Sequence, residues 1–532
     1  MITKSKYKNK IRKHAKIVEG YREKGKTVRK KILLNLGPVK SEADRKRFQQ
    51  ILESMRQGDE FIDLKDLSIT NAREFGVTYT ANKLLDKYNI SEVVRVYLSR
   101  NNTTFQLYEI IKALIINRLV KPSSDLSAYD WICSDYSAEL NIMEHHVYRA
   151  LDYLIAKKKE IETGIFNALK ENLHLDTNKI FYDLTSSYFE GSCCTLAFYG
   201  YSRDHRNDRK QIVIGLVMCD GIPIMHEVFD GNTADKTTLN DMVENLKQRL
   251  GLKKPIFVAD RGLITGDNIE KLEEEKYEYI LGCQRRNNNI SEELLIKEIK
   301  TNKEQDAREI KREKNRRYIL CIDKNTREER LQTLRKIKED VERKLRELQI
   351  RYAKSQEARK GKKITRDSLM LKASKILGKN KRLFNIDYKE DLQFSFNKEA
   401  GNYEEEIAGK FLLITNTALT AEEVMKSYKQ LMRVENAFDE IKNFLNIRPI
   451  EHHKTERVKA HVFVCVLAFL VECIIEKFSE ESARKTLRKL ERIRITDLDL
   501  KKTKKKLVTQ LTKETEQIFK QLKIPPPITN FA

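Results

Sequence analysis

An α/β fold built on a mixed sheet is what this chain predicts, and three observations carry the prediction. Between Thr177 and Gln284, apolar runs of strand length alternate with amphipathic stretches of helical period. Their order is strand, strand, strand, helix, strand, helix, strand; the short link Asp220-Gly221 makes a hairpin, and the later helices imply parallel crossovers. Two of the strands carry a lone aspartate, Asp183 in KIFYDLTSSYF and Asp260 in PIFVADRGL, while a later helix, YKQLMRVENAFDEIKN, carries Glu435. A sheet in this order is of the ribonuclease H-like kind.

Length and charge set the frame. At 532 residues the chain has room for about three or four domains. Lys and Arg outnumber Asp and Glu by 103 to 79, a formal charge of +24, and the basic residues are spread over every region. That balance favours a polyanionic partner, nucleic acid ahead of a membrane surface. The eight cysteines form no Cys-x-x-Cys pair and no Cys/His cluster at zinc spacing, so free thiols in a reducing cytoplasm are expected. The longest apolar run, Val462 to Val471, falls short of the roughly 20 residues that span a bilayer, so a soluble protein is expected.

Each segment has its own reason. Residues 1–66 should form a basic hairpin and a helix: HAKIVEGY and TVRKKILLNLG read as strands around a Glu23 to Lys26 turn, and Ser41 caps the helix. Thirteen Lys or Arg against two Glu in residues 1–36 suit a phosphate backbone, and equally a solvated hairpin. Residues 67–172 should be a helical, DNA-binding region, with FQLYEIIKALIINRLV and HHVYRALDYLIAKKKEIETGIF as its helices; ordinary bundles share this pattern with helix-turn-helix readers. The core runs over 173–284. A large, mainly helical insertion follows over 285–409, its centre marked by Leu334, Ile337, Val341, Leu345, Leu348 and Tyr352 at spacings of three and four. Residues 410–478 return to the core with the Glu435 helix and an apolar helix around HVFVCVLAFLVECII, and 479–532 form a basic C-terminal region.

The three acids carry the chemistry. A lone charge inside an apolar run is unfavourable to bury unless it is paired, hydrogen-bonded or bound to metal. Taken singly, Asp260 suits a cap for the turn at Arg261-Gly262, Asp183 a satisfied core residue and Glu435 a partner for a neighbouring Lys. Three acids at these points of one strand and helix order are a rarer coincidence. In such a sheet the first and fourth strands lie side by side, so Asp183 and Asp260 point to one spot. Tyr428, Glu435 and Lys442 recur every seven residues and should project from one side of a single helix, with Glu435 bordering the core beside Leu431, Val434, Phe438, Ile441 and Leu445. Phosphodiester cleavage by two metal ions needs such an acid cluster. Arg203, His205, Arg206, Arg209 and Lys210 crowd one loop, GYSRDHRNDRKQ, expected to guide a strand near the acids. His452 and His453 have no carboxylate or Cys at metal spacing and read as polar loop residues.

The segments YDLTSSYF, GYSRDHRNDRKQIVIGLV, EVFDGNTADKTTL, VADRGLIT and YKQLMRVENAFDEIKNFLNIRPIEHHKTERVKAHVFVCVLAFL resemble prokaryotic insertion-sequence transposases of the DDE class, in the group with a Tyr, Arg, Glu, Lys signature. The resemblance spans about Lys13 to Phe469. It implies Asp183, Asp260 and Glu435 as catalytic, metal-binding residues for two Mg²⁺ ions, with Mn²⁺ as a substitute. Tyr428 and Lys442 would contact transposon ends. Terminal inverted repeats and target double-stranded DNA are the implied partners, with a homodimer in the DNA complex and the prokaryotic nucleoid as the site of action. The implied reaction is hydrolysis at each transposon end followed by attack of the freed 3′-hydroxyl on target DNA. A ribonuclease H-like nuclease, or a domesticated DNA-binding protein without catalysis, are the alternatives. One position departs: the signature Arg falls on Leu431, and Arg433 lies about 200° round the helix from it.

Overall fold

A computed structural model describes residues 2–7, 10–22, 28–57, 68–99, 103–190, 194–252, 255–260, 266–285, 289–299, 301–357, 363–388, 391–499 and 504–529. The Glu23 to Lys26 turn, Cys193 and the Arg261-Gly262 turn lie outside the described residues. The chain divides into two compact units, one of residues up to 72 with 496–507, the other of 73–495 with 508–529.

In the first unit, strands Ile2–Tyr7, Lys10–Tyr21 and Arg29–Pro38 form an antiparallel sheet. The last two are the expected pair; the first was not anticipated. Ser41 caps the helix Glu42–Gln57 reciprocally, its hydroxyl accepting from Asp44 N at 3.1 Å while Asp44 Oδ2 accepts from Ser41 N at 2.9 Å.

The second unit holds a mixed eight-stranded sheet. Its strands are β1 (Lys179–Tyr188), β2 (Gln211–Cys219), β3 (Ile222–Asp230), β4 (Ile256–Ala259), β5 (Glu278–Gly282), β6 (Gln305–Glu313), β7 (Arg316–Asp323) and β8 (Lys410–Thr415). They lie in the order β6-β7-β8-β5-β4-β1-β2-β3. The β2–β3 link is tight because Asp220 and Gly221 both take positive φ, 51° and 77°, the twist that antiparallel hairpins prefer. Helices α1 (Asp235–Leu250) and α2 (Gly266–Glu274) provide the crossovers that make β1, β4 and β5 parallel.

The expected mainly helical insertion opens on a short helix, Asn289–Leu295, and then runs as strands up to residue 323. The strands β6–β7 form an antiparallel hairpin that pairs with β8 and so widens the core sheet. The helices α3 (Lys324–Glu357) and α4 (Arg366–Leu377) follow as a hairpin. Val341, Leu345 and Leu348 of the expected stripe pack on Leu369, Ala373 and Leu377 in a small core of their own.

The expected single helix through Tyr428, Glu435 and Lys442 is two, α5 (Ala421–Lys429) and α6 (Met432–Asn443). Between them the bonding tightens to a three-residue spacing: Leu431 N donates to Tyr428 O at 2.9 Å and Val434 N to Leu431 O at 2.8 Å. The apolar stripe survives the break, with Leu431, Val434, Phe438, Ile441 and Leu445 all buried.

Helix α7 (Thr455–Phe478) is long and apolar enough to cross a membrane by length and composition, but 94% of its apolar window is buried inside the protein. It packs against helices Leu107–Val120 and Glu144–Ala156, so the helical region shares one hydrophobic core with the sheet. A buried ion network reinforces that union. Lys158 Nζ donates to His226 O at 2.6 Å, and Glu162 accepts from His226 N at 3.1 Å and from Arg249 at 2.6 Å. Removing one partner of such a network leaves a buried charge uncompensated.

Candidate active site

Sheet register brings two of the acids together. Strands β1 and β4 are parallel with Tyr182 beside Ala259, so Asp183 and Asp260 are the next residues on neighbouring strands, about 5 Å apart at the backbone. Tyr182 turns to the α1 face, where its hydroxyl donates to Thr238 Oγ1 at 2.9 Å. Alternation therefore sends Asp183 to the opposite face, the one on which α6 packs. Glu435 stands in the first turn of α6. It is exposed and lines a cavity, not turned toward the core as its place beside the stripe suggested; Val434 is buried in the stripe and Glu435, the next residue, sits outside its edge.

Two of the acids, Asp183 and Glu435, feel the charge of their neighbours. Burial pushes the Asp183 carboxyl up to about 7, and the charges of Asp260 and Glu435 add to that push, against the Leu184 amide at 2.8 Å and the more distant Arg203. Glu435 is likewise raised, by loss of water and then by Asp260 and Asp439. Carboxylates that repel one another in a partly dry setting, with oxygen as the only donor atom, fit a hard divalent cation.

Tyr428 joins this group directly. Its hydroxyl donates to Asp260 Oδ1 at 2.7 Å, and its ring stacks on Phe411 with centroids 5.9 Å apart. Gly282 makes room for it: a Cβ there would lie 2.3 Å from the Tyr428 oxygen. Lys442 does not join. Its side chain is buried, and Nζ donates to Asp204 Oδ1 at 2.7 Å, an oxygen that Arg448 also reaches at 2.6 Å. Helix α6 is thereby fastened to the basic loop.

That loop is more structured than a free basic arm. Arg203 N donates to Ser186 Oγ of β1 at 2.9 Å, and the Arg203 guanidinium pairs with Asp235 at 2.6 Å. Arg206 makes a two-pronged bond to Asp208 at 2.8 Å and lies over Tyr188; Arg209 pairs with Glu190 at 3.2 Å. His205 is exposed at a positive φ of 57°, and Lys210 O accepts from Phe189 N at 2.9 Å.

The reading of His452 as a partnerless loop residue is corrected. Its Nε2 lies 2.6 Å from Asp125 Oδ2, and Asp125, His452 and His461 converge within 4.8 Å. Their separation in sequence hid the partnership. His461 is not free to bind metal: Nδ1 faces Arg118 at 3.3 Å and Nε2 faces Ile447 O at 3.2 Å, and burial pushes its pKa down to about 3.

Beside Asp260 and Glu435 lies a cavity of about 610 Å³ that is also lined by the insertion, through Asp323, Thr326 and Arg330. Nothing in the sequence marked those residues. Their place depends on the β6–β7 hairpin, whose strands carry too many charges to show an apolar alternation.

Comparison with known proteins gives two family matches. Residues 176–471 match the Transposase DDE domain, and residues 1–64 match the N-terminal domain of IS1634 family transposases. No curated protein matches the chain. Among solved structures, a cryo-EM structure of the piggyBac transposase synaptic complex with hairpin DNA aligns over 87% of this chain and 90% of that one, at 10% identity and a TM-score of 0.37, a likeness too slight to bear on mechanism.

Proposed function

The chain belongs to the DDE transposase family, an enzyme that cleaves and transfers DNA strands and depends on divalent metal ions, and from that premise we propose that Asp183, Asp260 and Glu435 form its catalytic centre, on a ribonuclease H-like core. The observation that carries this is the register that sets Asp183 beside Asp260 on the face where α6 presents Glu435. The strand order 3-2-1-4-5 of the first five strands supports the ribonuclease H-like assignment.

The three carboxylates would hold two Mg²⁺ ions, which when bound polarise the scissile phosphate and activate the attacking water or 3′-hydroxyl. The protein's own groups prepare that site. The Tyr428 hydroxyl fixes the rotamer of Asp260 and leaves its second oxygen available. Asp204, gripped by Lys442 and Arg448, holds the basic loop against α6, while Arg203 is tied to Ser186 of β1 and to Asp235 of α1. Terminal inverted repeats and target DNA are the proposed substrates, a homodimer the working form, and a prokaryotic nucleoid the setting.

Strand transfer tests the reading. The full-length protein with Mg²⁺, a duplex ending in the inverted repeat that brackets the gene, and a supercoiled plasmid should yield end-to-plasmid joined product. Cleavage without joining would make it a nuclease, and neither would make it a binding protein.

Two further outcomes are expected. Tyr428→Phe removes one hydrogen bond to a charged carboxylate, which is worth about 1.5–3 kcal/mol, so single-turnover cleavage should fall roughly tenfold to a hundredfold. End binding should stay level; a loss confined to binding would place Tyr428 on the DNA instead. Removing residues 1–36 should flatten the dependence of log affinity on log salt for any duplex, since each phosphate neutralised contributes about 0.9 to the slope. An unchanged slope would leave that segment a solvated hairpin.

A further inference from the structure

The cavity beside the acids has two walls of opposite character. On one side are Asp260, Glu435 and the apolar Leu431, which is buried. On the other, Thr326 and Arg330 stand one turn apart in α3. That second wall is held firmly in place. Asp323 accepts from Thr326 N at 3.2 Å, capping α3, and its other oxygen binds Lys429 Nζ of α5 at 2.5 Å and Gln305 at 3.0 Å. The start of the insertion helix is thus tied to the residue next to Tyr428. Gly409 permits the approach, because a Cβ there would lie 2.5 Å from both Arg327 Cβ and Asp323 O.

Arg330 is the member of this wall with charge to offer. Its side chain is half exposed, and its ion pair with Glu404 is 3.8 Å long, beyond hydrogen-bond reach, while Glu404 is also engaged by Arg382. A planar guanidinium facing a carboxylate-lined cavity is the side chain that grips a phosphate two-pronged. Leu431, on the acid wall of the same cavity, has no donor to give.

We propose that Arg330 binds a phosphodiester of the DNA strand being cut, so that the insertion supplies to the cavity the guanidinium that Leu431 does not. This rests on the reading of Asp183, Asp260 and Glu435 as the cleavage centre. The insertion is then part of the active site and not a spacer, and its hairpin and helix fix where the strand lies relative to the acids.

The test compares full-length wild type with Arg330→Gln, Arg330→Lys and Arg343→Ala, the last an exposed arginine farther along α3 that pairs with Asp340 and Glu347. Gln keeps most of the stem and hydrogen-bonding capacity, so folding is preserved. The probe is a duplex ending in the inverted repeat, with cleavage followed in single turnover and affinity followed against salt. Arg330→Gln should slow cleavage tenfold or more and lower the slope of log affinity against log salt by about 0.9, or about 0.7 for an unpaired strand. Arg330→Lys should restore the slope but only part of the rate, and Arg343→Ala should match wild type. Wild-type cleavage and slope in Arg330→Gln, or a slow variant with an unchanged slope, would overturn the proposal. Asp260→Asn run alongside separates the two levels: if it cleaves normally, the reading of the acids fails; if it is inactive while Arg330→Gln is normal, only the role of Arg330 fails.

Discussion

Asp260→Asn should abolish strand cleavage, with a loss of at least about a thousandfold, while DNA binding stays within a few-fold. The substitution keeps volume and shape but replaces a charged carboxylate by an amide that cannot offset divalent cations. On the proposed assignment, Asp183→Asn and Glu435→Gln should behave alike, because Asp183 feels the charges of Asp260 and Glu435, and Glu435 that of Asp260. Chelation should silence the wild type, and Mg²⁺ or Mn²⁺ should restore it. Gel assays of end cleavage with filter-binding controls decide the matter; near wild-type cutting by any one of the three variants would remove that residue from the centre.

The second large effect is on stability. Glu472 sits in α7 at 4% exposure, and its Oε2 meets no hydrogen-bond donor among the described residues. Burial pushes its pKa from 4.5 up to about 8, Glu440 and Glu476 add to the rise, and Arg484 opposes it. The sign follows from proton counting. Above pH 4.5 the unfolded chain releases this proton while the native chain keeps it, so folding is progressively disfavoured as pH rises from 4.5 to 8 and the loss is complete above 8. Glu472→Gln cannot ionise and escapes the loss. Its melting temperature should match wild type near pH 5 and exceed it at pH 9, by an amount reflecting roughly 3–5 kcal/mol. Melting curves that stay parallel from pH 5 to 9 would show that Glu472 titrates normally.

Much of the core could be read from the chain because its signals are local. Strands β1 to β5 are continuous apolar runs, and Asp183 and Asp260 stand out in them because nothing nearby explains a charge. The α6 stripe was equally plain. What escaped detection was long-range or masked by charge. The hairpin β6–β7, in QDAREIKRE and RRYILCID, has one strand at the sheet edge whose outer residues are solvated, so its period is drowned by Arg, Lys and Glu. The break between α5 and α6 has no Gly or Pro to mark it. Spacing alone sets Lys442 beside Glu435 as a DNA contact, because its partner, Asp204, lies 238 residues away in the chain. The same distance effect hid the bond between Asp125 and His452.

The order of the acids along the chain has a consequence for synthesis. Asp183 and Asp260 sit on strands made early, whereas Glu435 follows the whole insertion, and the α7 helix that completes the core comes later still. On the proposed assignment, a chain ending between residues 260 and 435 carries the basic amino-terminal strands and two of the three acids, but no complete centre. On that assignment, cutting competence arrives only once synthesis has passed the insertion and reached the Glu435 helix.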